Sequence, residues 1–228
     1  LNSKVTRVED KFVVINDEEE IAYDYLVGGD GPNSIVRRYL KLPLDKVLAT
    51  IQYIIPVKGQ TACMEIYLDA KYFHSWYAWS FPHHESIAIG VCADPRYVTG
   101  KQLKEKAHRW IEEKGFDLSN ARYESYPISY DYRGIEFGNI FLVGEAAGMA
   151  SGLTGEGIFQ SLVSGQEAAY RILKQKDPTN SFEFVLKYNK IQLSFLNFSL
   201  KSGLIRYLLA DLIILLMRNP WINKKISK

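Results

Sequence analysis

Along residues 1–30, apolar and polar positions alternate in short runs, KVTRVE, KFVVIN and IAYDYLVGGDG, interrupted by the acidic turn Asp17, Glu18, Glu19 and Glu20. Alternation of this kind predicts short strands. Tyr25, Leu26 and Val27 run into Gly28, Gly29, Asp30 and Gly31, which predicts a buried strand stopping at a glycine turn. Residues 34–40 carry one or two helical turns. From 47 to 93, the runs VLATIQYIIPV, TACMEIYL, SWYAWSF and SIAIGVCA predict an antiparallel sheet, with breaks at Gly59, at residues 69–71 and at residues 82–85. The period then lengthens. Residues 100–115 place Leu103, Ala107, Trp110 and Ile111 on one helical face, with Gly115 as the C-terminal stop. ARYESYPISY predicts a further strand. Ile140, Phe141, Leu142 and Val143 predict a second buried one, again ending at a glycine and an acid, Gly144 and Glu145. A helix over residues 155–174 presents Ile158, Leu162, Gly165, Ala169 and Ile172 on one face. After the break at Asp177 and Pro178, a long helix runs from Ser181 toward Gly203, and the apolar stretch LIRYLLADLIILLM follows.

Composition narrows the class. Hydrophobic residues make up 47% and charged residues 24% of 228, the mixture of a globular chain with a real core. Basic and acidic residues number 28 and 26. No cationic excess is left to neutralise phosphates, so nucleic acid is not the expected partner. Aromatics reach 13%, with 15 Tyr, which suits ordinary core packing or a pocket for a planar or apolar ligand. Cys63 and Cys92 lie in alternating apolar runs without a CxxC pair. Two buried free thiols in a reducing cytosol are expected, a disulfide between neighbouring strands being the alternative. No metal is expected: the His and Cys spacings match no ligand set, and His83 and His84 point apart on a strand.

The chain opens at Leu1 in strand-like sequence, with no initiator Met or signal peptide. Residues 204–217 fall short of the roughly 20 needed to span a bilayer, and Arg206 and Asp211 interrupt them. A cytoplasmic location is expected. The same helix, followed by Lys224, Lys225 and Lys228, suits peripheral contact with an anionic membrane, solvated terminal lysines being the alternative.

Three segments carry candidate chemistry. At the first, Asp30 sits where a strand stops, glycines let a ligand approach the backbone, and Arg37 follows seven positions later. At the second, a strand ends in Gly144 and Glu145, a small-residue loop follows, and Thr154, Gly155, Glu156 and Gly157 open a helix. A carboxylate there accepts hydrogen bonds from ligand hydroxyls, and a helix start offers unpaired N–H groups and a positive dipole end. At the third, Tyr77, Trp79 and Phe81 share one strand face. That row is either a packed sheet face or the wall of an apolar pocket.

The DGxxSxxR spacing of Asp30, Gly31, Ser34 and Arg37 resembles p-hydroxybenzoate-hydroxylase-like flavoproteins. The segment IFLVGEAAGMASGLTGEGI resembles the second FAD motif of that group, and its LTGEGI core looks like geranylgeranyl reductases. YAWSFP resembles the YxWxFP element of the same reductases. Glu145 stands where the pattern has Asp, and Gly152 where Pro often precedes the core; the glycine is expected to loosen that loop.

The resemblance covers residues 5–175 and implies a mixed α/β fold. A partial FAD-binding, Rossmann-like domain is expected over 1–45 and 128–176, an inserted antiparallel-sheet substrate domain over 46–127, and a C-terminal helical region over 177–228. It also implies FAD as cofactor, contacted by Asp30, Gly31, Arg37, Gly144, Glu145, Ala146, Gly152, Thr154, Gly155 and Gly157. Tyr77, Trp79 and Phe81 would line the substrate, with Tyr77 as proton donor. The implied reaction is reduction of prenyl-type double bonds in an apolar small molecule or lipid, with an electron donor the sequence does not name. A flavin monooxygenase or halogenase, whose aromatic-proline strand partly fits residues 76–82, is one alternative; a non-catalytic fragment is another. No GxGxxG occurs in the chain. The pyrophosphate-binding unit is therefore expected in a missing N-terminal segment or a separate chain, and this chain alone is expected to bind FAD poorly.

Overall fold

The computed structural model describes residues 2–57 and 63–217, Met217 through its backbone only. The expected break at Gly59, the start of the TACMEIYL strand, and Lys224, Lys225 and Lys228 lie outside the described residues. The chain divides into two compact units, Leu1–Val47 with Ile128–Leu193 and Leu48–Pro127 with Ser194–Lys228. Residues 177–228 are thus shared between the units and do not form a third body.

The first unit opens with an antiparallel meander of β1 (Val5–Val8), β2 (Phe12–Ile15) and β3 (Glu19–Ala22). Val8 faces Val13 across the first hairpin, and both are buried. The acidic run is not one turn. Asn16 and Asp17 take positive φ of 53° and 64° at the hairpin corner, as tight hairpin turns require, while Glu19 and Glu20 pair with Ile15 and Val14 inside the sheet. Next, β4 (Leu26–Gly28) leads into α1 (Ile35–Tyr39), capped by Ser34, whose Oγ accepts the Arg37 N–H at 2.8 Å.

The second unit is built on β5 (Val47–Pro56), β6 (Glu65–Tyr67), β7 (Ala78–Pro82), β8 (Ser86–Ala93) and β9 (Arg122–Ser129). They form one sheet in the order β6-β7-β8-β5-β9. Its middle strand, β8, is buried from Ile87 to its end, as the unbroken apolar run IAIGVCA dictates. Helix α2 (Ala70–Phe73) and helix α3 (Gly100–Glu113) pack on this unit. Thr99 and Gln102 form a reciprocal capping box at the start of α3. Leu103, Ala107, Trp110 and Ile111 are its buried face, and Gly115 follows with φ of 74°. Trp110 meets Phe73 and Tyr67 edge-on at 5.8 and 5.0 Å. Both cysteines are free; Cys92 is buried, its thiol pushed up to about 12 by burial, but Cys63 is exposed, contrary to expectation. Cys63 lies just before the edge strand β6, and its neighbour Met64 and Ile66 on that strand are exposed too.

The chain then returns to the first unit through β10 (Glu136–Phe137) and β11 (Ile140–Leu142). A 3-10 turn at Gly144–Ala147 follows, then helix α4 (Ile158–Ile172) and helix α5 (Ser181–Ser199); α6 (Gly203–Met217) ends the described chain. Strand β11 pairs antiparallel with β10 and parallel with β4. The apolar periodicity misplaces the packed face of α4. Its buried residues are Gln160, Val163, Ser164, Glu167 and Ala168, whereas Ile158 and Leu162 are 82% and 70% exposed. Polar anchoring sets that rotation. Ser164 Oγ accepts the Gly144 N–H at 2.9 Å, and Arg171 joins Glu167 at 2.7 Å to Glu136 at 2.9 Å. A buried strand-end N–H must be satisfied, and the serine facing it satisfies it.

Arg37 ties the unit together from a position only 2% exposed. Its Nε and one terminal nitrogen donate to the Pro43 carbonyl at 3.1 and 2.6 Å. The other terminal nitrogen donates to the Ala146 carbonyl at 3.0 Å, and the first also reaches the Asp131 carbonyl at 2.8 Å. Burial pulls the guanidinium pKa down, and the nearby Asp131 carboxylate pulls it up. One cation thus pins three loops through backbone oxygens.

Arg37→Met leaves these carbonyls without their donor and should cost about 3 kcal/mol or more of unfolding free energy, measured by urea denaturation. Gly90→Ala places a Cβ 2.3 Å from the Trp79 ring and 2.7 Å from the Ile51 carbonyl. It should lower stability by about 1–3 kcal/mol in the same experiment.

Candidate functional site

The two acidic turns leave the same end of one sheet. β4 and β11 run parallel with Leu142 beside Gly28, and the Val143 N–H donates to the Gly28 carbonyl at 3.0 Å. Their C-terminal ends therefore deliver residues 29–31 and Gly144 with Glu145 to one edge, where α/β proteins bind ligands.

Asp30 is exposed at that edge, and its Oδ2 accepts the Ile35 N–H at 2.7 Å. Part of its charge is thus spent on the start of α1. Gly31 beside it has φ of 77° and open space around its Cα. Glu145 is half-buried in the 3-10 turn, and one carboxylate oxygen accepts the Ser129 N–H at 3.1 Å. Burial raises its pKa, opposed by that hydrogen bond. Beyond the turn, Gly148 has φ of 74°, and a Cβ there would lie 2.4 Å from the Asp131 carbonyl, so only glycine fits.

A cleft of about 450 Å³ opens beside this turn, lined by Glu145, Gly155, Gly157, Ile158, Ser161 and Leu162. Gly157 is the N-cap of α4 and offers no side-chain cap. The first N–H groups of the helix have no intrahelical acceptor, and the positive dipole end lies there. Ser161 Oγ donates back to the Gly157 carbonyl at 2.7 Å and fixes this corner.

The loop before the helix is tight, contrary to the expectation raised by Gly152. Ser151 Oγ accepts the N–H groups of Leu153 and Thr154 at 3.2 and 3.1 Å, and the Ser151 N–H donates to the Glu156 carbonyl at 2.7 Å. Thr154 Oγ1 accepts the Glu156 N–H at 3.4 Å. Gly152 itself is buried against the Tyr130 ring.

Of the residues singled out in the sequence, Glu145, Gly155 and Gly157 line the cleft. Gly144 lies buried behind it, its N–H held by Ser164. Arg37 and Ala146 do not reach it: Arg37 is the buried clamp, and the Ala146 side chain is fully buried with its carbonyl taken by Arg37. Ile158, Ser161 and Leu162 join the site unforeseen. Ser161 sits one turn after Gly157, so the helix start was the signal for it. Ser129 lies on a different strand, and no local pattern announces it.

In the second unit, the aromatic row is present on β7. Tyr77, half-buried just before the strand, meets Trp79 at 6.0 Å, and Trp79 stacks on Phe81 at 6.1 Å. Trp79 lies flat across Gly90 of the neighbouring strand, opposite it in register.

No family model matches the chain. Geranylgeranyl diphosphate reductase of Rhodobacter capsulatus is 27% identical over 180 residues, covering 73% of this chain and 45% of that protein. The chain spans about half the length of the curated relatives it matches. Among solved structures, a geranylgeranyl bacteriochlorophyll reductase-like protein from Thermoplasma acidophilum superposes with a TM-score of 0.69 at 18% identity, covering 92% of this chain and 61% of that one. A tryptophan 6-halogenase from Streptomyces toxytricini gives a TM-score of 0.58 at 13% identity over 86% of this chain and 40% of its own. The chain is thus similar in sequence to a geranylgeranyl diphosphate reductase, and its fold is the one seen in a geranylgeranyl bacteriochlorophyll reductase-like protein and in a tryptophan halogenase.

Proposed function

We propose that this chain is the part of an FAD-dependent oxidoreductase that seats the flavin ring and the substrate, and that the reaction is reduction of carbon–carbon double bonds in a prenyl or similarly apolar molecule. The observation that carries the reading is the uncapped start of α4 opening, together with Glu145, into a cleft at the ends of two parallel strands. The donor set fits the cofactor. Glu145 offers an acceptor for ribityl hydroxyls, and Asp30 offers a second at the same sheet edge. The N–H groups and dipole of α4 suit the negative charge that a reduced flavin carries. Gln160, fully buried in the first turn of α4, has neither side-chain polar atom bonded among the described residues, the state of an amide that lacks a partner.

FAD, when bound, supplies the hydride chemistry. The chain's own residues position and shield. The stacked pair of buried Trp79 and half-buried Phe81 would form an apolar wall for a substrate without hydrogen-bonding groups, and Tyr77 is the member of the row with a transferable proton. The halogenase reading rests on likeness of fold and on the same aromatic strand. It is the weaker one, because halogenases have Gly where Trp76 stands and Trp where Tyr77 stands.

The reading is tested by anaerobic assay of the full natural protein with FAD, dithionite and a geranylgeranyl substrate, followed by mass spectrometry. Saturated product supports it. Oxygen-dependent hydroxylation or halogenation with NADH as reductant would replace it.

Glu145→Gln separates the site from the scaffold. Burial places the folded pKa of Glu145 above its unfolded value. Its ionisation therefore opposes folding, and stability should fall as pH rises from the ordinary carboxylate range through that raised value. The glutamine should flatten this part of the stability–pH curve while weakening FAD binding in a flavin-fluorescence titration. Gly157→Asp should raise stability by about 0.3 kcal/mol through capping, yet weaken binding of reduced flavin by adding negative charge at the helix start.

A further inference from the structure

The C-terminal helix α6, in the second unit, exposes more of its apolar surface than it packs. Leu204 and Leu215 are 70% and 67% exposed, and Tyr207, Leu208, Leu212 and Leu216 are exposed with them. At about 100° per residue these six positions cover one half of the helix circumference. Arg206, Leu209 and Ile213 occupy the other half, and α2 packs against the helix. The only charged residue within the outward half is Asp211, between Tyr207 and Leu204 around the helix. Just before it in the chain, Phe198 is exposed, with Lys201 Nζ 5.7 Å from its ring centroid. A contiguous leucine face of this kind marks an interaction surface.

Charge along the sequence identifies what covers that surface. The whole chain carries a net charge of only +2, but the charges are segregated. Residues 181–228 hold eight basic and two acidic residues, whereas residues 1–180 hold 20 basic and 24 acidic ones. A cationic segment built around a leucine face attracts an anionic bilayer and repels a second copy of itself. No helix among the described residues is long and apolar enough to cross a membrane. The 15 residues of α6 extend only about 22 Å at 1.5 Å per residue, short of a hydrocarbon core.

We propose that α6 is an in-plane membrane anchor. Its leucine face enters the boundary between headgroups and acyl chains of an anionic bilayer, and the lysines that follow it neutralise the headgroups. Neither signal suffices alone; a modest apolar face plus a polybasic segment gives stable yet reversible attachment. Asp211, on the Tyr207 side of the face, lies toward the headgroups. Trp221, beyond α6 in the sequence, is of the type favoured at membrane interfaces. The anchor would hold the protein where apolar lipid-like molecules dissolve, but it does not depend on flavin binding or on the proposed reaction.

The test is co-flotation of the full chain with phosphatidylcholine vesicles made with or without phosphatidylglycerol. Binding should be several-fold stronger with phosphatidylglycerol and should weaken as salt is raised. Leu208→Gln/Leu215→Gln and Lys224→Gln/Lys225→Gln should each weaken it by about tenfold or more. Circular dichroism checks that both variants stay folded, which the exposure of the two leucines favours. The proposal is overturned by absence of flotation with either vesicle, by equal flotation with both, or by leucine variants that float like the wild type. It is equally overturned if sedimentation equilibrium shows a dimer that the leucine variant dissolves, because a second copy then owns the face.

Discussion

A single buried guanidinium organises the first unit. Arg37 gives up its hydration and in return bonds the carbonyls of Pro43, Asp131 and Ala146. Those three segments are the exit from α1, the approach to β10 and the turn that carries Glu145. Desolvation of a cation is expensive, and the cost is offset only where every donor finds an acceptor. The clamp therefore exists in one geometry. With it fixed, Glu145 has a defined place at the ends of β4 and β11, Gly148 can press against the Asp131 backbone, and the cleft keeps its shape.

Helix α4 shows how a site takes precedence over simple amphipathicity. Its packed side is dominated by polar groups that complete the scaffold, and the rim of the cleft is left to Ile158 and Leu162. An uncapped glycine start costs helix stability relative to Asp or Ser. That loss makes sense where the free N–H groups serve a ligand. Local rules of sequence design are broken where function uses the breakage.

Much of this was legible from residue patterns. The two strands ending in acid-bearing turns, the face of α3 and the aromatic row on β7 were readable because each depends on neighbours within a few positions. The role of Arg37 was not. A motif places an arginine near a ligand site, but only the fold reveals that three backbone oxygens converge on it. The rotation of α4 escaped for the same reason, since Ser164 answers the Gly144 N–H from a distant part of the chain. Cys63 resembled a core position by alternation, yet it lies exposed just before the edge strand β6. The hydrogen bond from Ser129 to Glu145 joins residues that no periodicity connects.

The parallel pairing of β4 with β11 joins strands from opposite halves of the chain. Contacts of such long sequence separation form late, because chain entropy must be lost before they reward it. During synthesis the antiparallel sheet between them is complete first, and it shortens the loop that remains to be closed. Until β11 emerges, β4 has no strand partner among the described residues, and the cleft waits for α4 to follow. Folding order alone thus ensures that a half-made chain presents a finished sheet but no finished cleft.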